Sequence, residues 1–141
     1  MWRWRYVGSS VPLNTPAAGQ SAKYVPSERG RECVVAATFT LTTAVAVADR
    51  YARVVYLDRQ GRTIYLAQSP FKRQASGTQV ASFGLGGDQF GADNAAAVGG
   101  PLPELWLSGA EKVQLSLLNI QAADTITHAL LWVAEYGEAD D

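Results

Sequence analysis

The chain has 141 residues, a formal net charge of −1 and 48% hydrophobic residues, a composition that predicts one globular domain able to fold without disulfides or bound metal. Its single cysteine, Cys33, excludes an intrachain disulfide and a zinc site built on thiolates. No apolar run reaches the ~18 residues of a membrane span and the first residues lack the apolar core of a secretory signal, so we expect a soluble protein made in a cytoplasm, with no membrane contact.

Charge is distributed unevenly along the chain. Residues 1–73 carry 11 basic and 4 acidic side chains, whereas residues 74–141 carry one basic and 9 acidic ones. One interpretation is contact with a partner or another copy, steered by complementary charge. The other is that a sandwich interleaves early and late strands and mixes the two signs in space. The sequence favours the second interpretation, and the near-zero net charge indicates no general attraction to nucleic acid.

The first seven residues alternate strictly between aromatic and basic side chains, which is the pattern of a strand with an aromatic face. The aromatic side holds Trp2, Trp4 and Tyr6, and the basic side holds Arg3 and Arg5. Prolines and small polar residues at 11–30 then predict an extended arm or a long surface loop. We therefore expect an N-terminal strand and arm (1–28), a β-sandwich domain (29–137) and an acidic tail (138–141).

The N-terminal residues are the candidate partner-binding site. As a strand added to a partner's sheet, Trp2, Trp4 and Tyr6 would bury an aromatic face while Arg3 and Arg5 meet acidic groups. The alternative is that these residues form the first strand of their own sandwich. The sequence leaves both interpretations open.

A hairpin at residues 50–67 is the centre of the predicted domain. Both of its arms alternate apolar with polar side chains and are rich in β-branched and aromatic residues. Between them, Asp58 can accept backbone N–H groups, and Gly61 can adopt the left-handed conformation that closes a type I turn. The preceding run, 32–43, predicts another strand. Residues 44–48 suit a helix as well, but favour a short strand or its connecting corner.

The second half of the chain continues the strand pattern. We expect a break at 68–70, a strand near 78–83, a glycine-rich loop region at 84–101, and a second hairpin formed by 101–107 and 112–120. The glycine spacing matches no nucleotide-binding motif. A closing strand is predicted at 125–136, although helical spacing can also be drawn through it. Together these elements predict an all-β, antiparallel two-sheet β-sandwich, for which the strand pattern favours a jelly roll.

The side chains that could carry chemistry have simpler structural explanations. His128, the only histidine, is placed by alternation among apolar residues and is expected to be packed in the core. Cys33 is expected to be an inert buried thiol. The carboxylates of Asp49, Asp58, Glu104 and Asp124 could form a pair for glycoside cleavage. Each falls at a turn or strand end, however, where acidic residues serve the backbone. Trp106 and Trp132 are expected in the core. We therefore predict no enzyme, no cofactor and no metal site.

Four stretches carry a family resemblance. A threonine-ended strand (41–44) leads to an arginine-containing strand and an Asp-x-x-Gly turn (50–61), a proline-leucine segment ends in a glycine turn (101–109), and a closing strand follows a final turn (117–136). This series resembles small virion proteins of tailed bacteriophages, most of all their jelly-roll cement, or decoration, proteins. The resemblance covers residues 31–136. Ala123 and Ser108 depart from it, because glycine and proline are common there.

The resemblance implies a non-enzymatic virion structural protein that binds and stabilises a bacteriophage capsid. Its partner would be the major capsid protein, and we expect a homo-oligomer without direct contact to nucleic acid. The protein would be located on the capsid surface after synthesis in the host cytoplasm. The alternatives are a carbohydrate-binding β-sandwich or another phage head-tail or tail-fibre component.

Overall fold

The computed structural model describes residues 7–26 and 30–137, and every regular element in these ranges is a β-strand. In chain order the strands are β1 (Val7–Pro12), β2 (Ala22–Tyr24), β3 (Gly30–Thr42), β4 (Arg50–Leu57), β5 (Thr63–Arg73), β6 (Thr78–Leu85), β7 (Ala97–Leu102), β8 (Trp106–Leu107), β9 (Lys112–Leu118) and β10 (Thr125–Gly137). The prediction of an all-β protein is confirmed.

The strands form two sheets. The large sheet has the order β1-β10-β3-β6-β7, with β8 also paired to β3, and the small sheet has the order β2-β9-β4-β5. Neighbouring strands are antiparallel, except that β7 runs parallel to β6. Buried side chains from both sheets pack into one core. The predicted two-sheet β-sandwich is therefore confirmed.

The core lies between inward-facing rows of alternate strand residues. In the large sheet these rows include Phe39 and Leu131, and in the small sheet they include Tyr56 and Leu115, all of them buried. Burying one such side chain contributes ~1.5–3 kcal/mol. A slip of one residue in any central strand would expose a whole row, so the inward rows fix the register of the sandwich.

The central hairpin is formed by β4 and β5, as predicted. Gly61 has a φ of 81°, the left-handed conformation that its position required. The N–H of Gly61 donates to the carbonyl oxygen of Asp58 at 3.0 Å. The N–H of Asp58 donates to the carbonyl oxygen of Arg62 at 2.8 Å. The Asp58 carboxylate accepts the N–H of Arg62 at 2.8 Å. Glycine and aspartate therefore close the turn by the mechanism that the sequence indicated.

The predicted break at residues 68–70 does not occur, because β5 continues to Arg73. Its pairing with β4 is irregular here: Gln68 lies opposite Arg53, and the next paired residue is Lys72. Pro70 falls within this irregular stretch of a strand at the sheet edge, so its missing N–H removes no regular ladder bond.

The segment predicted as an arm or a surface loop contains two strands. Residues 8–12 pair with β10, and Ala22 to Tyr24 pair with β9. The side chains of Val11, Leu13 and Tyr24 pack against the core. The prolines and glycines of this segment argued against strands in the sequence. Both strands are nevertheless possible because they lie at sheet edges, where a proline such as Pro12 at the strand end is tolerated. The strand predicted at residues 1–7 lies almost wholly outside the described residues, as does the acidic tail at 138–141.

Two further predictions between β6 and β9 were wrong. The glycine-rich region contains β7, which pairs with β6 in parallel. The predicted second hairpin is absent, because Trp106 and Leu107 of β8 pair with Cys33 and Glu32 of β3 in the large sheet, while β9 pairs in the small sheet. The turn after β8 thus carries the chain from one sheet to the other. Local alternation could not distinguish a hairpin turn from a crossing between sheets.

Strand β10 exists as predicted, but the prediction of which of its side chains point into the core was wrong. Thr127 pairs with Thr40 and Leu130 with Thr38, so two residues of β10 stand opposite one residue of β3. This β-bulge lies at His128, whose φ is 53°, and it reverses the alternation that follows. His128 is consequently exposed rather than packed in the core. The residues after it that face inward are the odd-numbered ones up to Val133.

Candidate interaction surface

The outward face of the large sheet is the most unusual surface of the sandwich. Register places the following residues on it: Ser10 and Pro12 of β1; Thr125, Thr127, Leu130 and Trp132 of β10; Ala36, Thr38, Thr40 and Thr42 of β3; Thr78, Val80, Ser82 and Gly84 of β6; and Ala97 and Pro101 of β7. None of these side chains is charged. We refer to these residues as the neutral face. The sheet continues past the irregular pairing between Trp132 and Val133, and there Arg31 of β3 lies on the same side and is exposed.

The outward face of a solvated antiparallel sheet is ordinarily polar and rich in charged residues. The neutral face instead presents short hydroxyl side chains, small residues and apolar groups. Trp132 of β10 is 49% exposed, and Val80 of β6, on the far side of β3, is 40% exposed. The hydroxyls of Thr38 and Ser82 lie 3.3 Å apart. Depletion of charge around an exposed aromatic residue is the compositional sign of a protein interface. The face has the chemistry of a surface that becomes buried.

The small sheet has a different outward face. Lys23, Arg53, Lys72 and Lys112 lie on it, and the residues paired with them include no acidic side chain. Lys72 has an acidic neighbour in a loop, with Nζ 3.8 Å from Oδ2 of Asp49. Four basic residues therefore share one outward face in the part of the chain that the structure describes, and both interpretations of the uneven charge stay predictions. The two outer faces of the sandwich are chemically distinct.

An apolar loop continues from the end of the neutral face. Residues 43–49 connect β3 to β4 and form the connecting corner that was one of the sequence alternatives. Val45 is 82% exposed and Val47 is 96% exposed. Isolated exposed valines are unremarkable, but these two occupy a single loop that directly follows Thr42. They add exposed apolar surface at the end of the sheet where β3 ends.

A buried ion pair holds this loop in place. The guanidinium of Arg50 donates to the Asp124 carboxylate through Nε and Nη2 at 3.0 and 3.1 Å. Its Nη1 also donates to the carbonyl oxygen of Ala48 at 3.0 Å, and the N–H of Ala44 donates to Oδ1 of Asp124 at 2.7 Å. Both ends of the apolar segment are thereby hydrogen-bonded to one salt bridge. The loop is preorganised, which lowers the entropy cost of binding through it.

Asp124 joins three loops at this end of the sandwich. Its backbone carbonyl accepts the N–H of Gly19 at 2.7 Å, and its carboxylate also accepts the N–H of Gln121 at 2.8 Å. Desolvation raises the pKa of this carboxyl, but the hydrogen bonds from Arg50, Ala44 and Gln121 outweigh it and lower the pKa below the ordinary value. The carboxylate is therefore ionised and fully committed to structure. This excludes Asp124 as half of a carboxylate pair for glycoside cleavage.

The other candidate residues also have local partners. Asp58 serves its turn, Asp49 accepts a hydrogen bond from Gln74, and Glu104 accepts one from the indole of Trp106. Cys33 is buried, as predicted, and burial raises the pKa of its thiol. Within residues 7–26 and 30–137, no group of three His, Cys, Asp or Glu side chains could hold a metal ion.

The predicted site residues and the observed surface differ. Trp2, Arg3, Trp4, Arg5 and Tyr6 lie outside the described residues. Trp132, expected in the core, is instead half-exposed in the end row of the neutral face, because the bulge at His128 turned it outward. The sequence contained one usable signal, the run of alternating threonines at 38, 40 and 42. Alternating threonines indicate that the outward side of the strand carries neutral polar side chains and no charged ones. Across the described ranges there is no helix long and apolar enough to cross a membrane.

No protein-family model matches the chain, and a search of curated proteins finds no match either. Among solved structures, the chain is similar to one described as "Structure of infectious bursal disease virus Gx strain", with 6% sequence identity and a TM-score of 0.31. The similarity covers 96% of this chain and 43% of that chain, so the present chain spans less than half of that protein. At this TM-score the similarity supports no argument about fold or function.

Proposed function

We propose that this chain is a virion structural protein that binds the outside of a bacteriophage capsid and stabilises it. The observation that carries the proposal is the neutral face, a set of uncharged residues that spans five strands of the large sheet. Its partner is the major capsid protein, and its place is the capsid surface after synthesis in the host cytoplasm. The protein acts by burying surface and not by catalysis.

The strand order supports this proposal. One sheet contains β1-β10-β3-β6 and the other contains β2-β9-β4-β5. The chain passes from one sheet to the other at every connection except the β4–β5 hairpin and the segment holding β7 and β8. Eight strands interleaved in this way support the assignment of a jelly roll of two Greek keys. A jelly roll is the fold that the resemblance to phage cement proteins implies.

The neutral face can be buried at low cost. Moving an unpaired charge out of water costs several kcal/mol, and this face offers none to desolvate. Its threonine and serine hydroxyls can each donate and accept, so they can satisfy backbone or side-chain groups of a capsid subunit. Trp132 provides a large aromatic anchor, the kind of residue that carries much of the binding energy in protein interfaces. Val45 and Val47 add apolar contacts from a loop already held in position.

Reconstitution tests the proposal. Particles of the bacteriophage that encodes the chain, assembled without it, are mixed with the purified protein and sedimented. Wild-type protein should sediment with the particles, whereas Trp132→Glu should remain in solution because it places a charge within the buried face. Gln114→Glu is the matched control, since it adds the same charge to the outward face of the small sheet. Equal binding by all three proteins, or none by wild type, would refute the proposal.

One observation favours a second function, carbohydrate binding. Trp132 is an exposed aromatic side chain on a sheet face lined with hydroxyl groups, an arrangement on which a sugar ring can stack. A glycan array with the isolated protein separates the two functions. Binding to specific glycans that is lost in Trp132→Ala, together with absence of the protein from particles, would favour the carbohydrate-binding function.

A further inference from the structure

Strand β5 is an edge of the small sheet, and its two halves differ. In the second half, a loop covers the backbone: the N–H of Lys72 donates to the Asp93 carboxylate at 3.1 Å, and the N–H of Asn94 donates to the carbonyl oxygen of Lys72 at 2.8 Å. The first half pairs with β4 on one side, and β4 is its only strand partner in the sheets of the described residues. No other described strand pairs with its outer edge.

The open half lacks the usual protection of an edge strand. Natural edges carry charges, prolines or bulges that prevent pairing with another chain. In β5, Pro70 lies in the covered half and a bulge affects Ile64, but residues 65–68 run in unbroken register against β4. No charged residue occurs between Arg62 and Lys72. Ile64, Tyr65 and Leu66 are all exposed, each by more than 40%.

We propose that two copies of this chain pair through the open half of β5, antiparallel about a two-fold axis, with Leu66 opposite Leu66 of the second copy. The two small sheets then join into one continuous sheet. This register places Tyr65 opposite the small side chain of Ala67 and Ile64 opposite Gln68. It is centred on the unbroken stretch, and it keeps the bulge at Ile64 and the proline away from the axis.

The chemistry of the edge favours a second copy as its occupant. A two-fold pair must be self-complementary, and in this register apolar residues meet apolar or neutral ones with no like charges opposite each other. Arg62 falls opposite Pro70, and its charge is already balanced by Asp58, whose Oδ2 accepts from its Nε at 2.8 Å. A basic partner strand would instead meet Arg53 and Lys72 on the same sheet. Arg53 and Lys72 therefore disfavour a basic partner strand.

Disulfide trapping tests the register. Residues directly opposite each other in an antiparallel pair have Cα atoms ~4.5–5.5 Å apart, a distance that a disulfide spans. Leu66→Cys should therefore form a covalent dimer under mild oxidation, and the native Cys33 does not interfere because it is buried. In Gln68→Cys the introduced thiols would be offset by four residues, about 14 Å along the strands, and should remain unlinked. No dimer from Leu66→Cys, or equal linking of both variants, would overturn the proposal.

A charge-swap experiment tests the two-fold axis in solution. Wild-type protein should sediment as a dimer in analytical ultracentrifugation, whereas Leu66→Lys and Leu66→Glu should each lose the dimer, because like charges then face each other. An equimolar mixture of the two variants should restore a dimer. A monomeric wild type, or a mixture that stays monomeric, would contradict the proposal. Circular dichroism and the melting temperature check that each variant is folded.

Both experiments use the isolated protein, so they are independent of capsid binding. Leu66 lies on the small sheet, and the neutral face lies on the large one. A failed dimer with intact particle binding would refute only the pairing. A stable dimer that does not bind particles would refute only the proposed function.

Discussion

Arg50 and Asp124 form a two-point ion pair in which neither side chain is exposed, with their nitrogen and oxygen atoms 3.0 and 3.1 Å apart. The two residues are 74 positions apart in sequence. Every polar contact described for this pair is to its partner or to the backbone of the loops it joins. The pair therefore stabilises the fold and also fixes the position of the apolar loop at residues 43–49.

Arg50→Met should lower the free energy of unfolding by ~3–5 kcal/mol, because it leaves the Asp124 carboxylate buried without its cation. It should also speed amide exchange at Ala44, whose N–H bonds to that carboxylate. Arg62→Met is the matched control, since Arg62 pairs with Asp58 on the exposed surface, and its effect should be much smaller. Chemical denaturation and hydrogen exchange measure both. Equal effects from the two substitutions would contradict the structural role of the buried pair.

Stability should fall in acid, and Asp124 should account for part of the fall. Because its pKa is lowered in the folded protein, the unfolded state takes up a proton first as pH decreases, and the contribution present at neutral pH is lost below about pH 4. Asp124→Asn removes this titration. The stability difference between wild type and Asp124→Asn should be constant from pH 7 to 5 and shrink towards pH 3. A difference independent of pH over this range would show that the carboxylate is not the favoured form.

Gly99 should not tolerate a side chain. In the parallel pair of β6 and β7 it lies opposite Ser82, and a Cβ at this position would overlap the carbonyl oxygen of Ser82 and the ring of Phe90. Gly99→Ala should therefore destabilise the protein by ~1–3 kcal/mol. Gly84→Ala is the control, because the nearest atom to its added Cβ is 3.7 Å away. Thermal unfolding compares them, and equal melting temperatures would contradict the close approach of β6 and β7.

Gly61→Val should cost ~1–3 kcal/mol, since a β-branched residue is strained at a φ of 81°. No atom lies within 4 Å of a Cβ added there, so the cost is conformational and not steric. Gly61→Asn should cost less, because asparagine tolerates the left-handed region. Denaturant unfolding of both variants measures the difference, and an order in which asparagine costs more than valine would count against this explanation.

The central hairpin was predictable because its information is local. Alternation over two arms and the Asp58-to-Gly61 turn specify the same register, and φ at Gly61 agrees. The partner of Arg50 was not predictable in this way. An arginine at the start of an apolar strand indicates a buried charge only after the turn containing Asp124 is known to lie beside it.

The neutral face shows a second limit of sequence reasoning. A strict period of two through residues 125–136 placed His128 and Trp132 on one inward row. One extra residue at the bulge reversed the row, so that Trp132 faces outward with Thr38 and Thr40 of β3. Bulges depend on the pairing of two strands distant in sequence, and the pattern of a single strand does not reveal them. The pairing of β8 with β3 escaped prediction for the same reason.

Cryo-electron microscopy of the particles to which we propose that this chain belongs tests the central claim most directly. We expect density for the two-sheet sandwich on the outside of the capsid, with Trp132 and the threonine rows against the major capsid protein and the outward face of the small sheet towards solvent. Particles without this density, or a sandwich whose threonine rows face solvent, would contradict it.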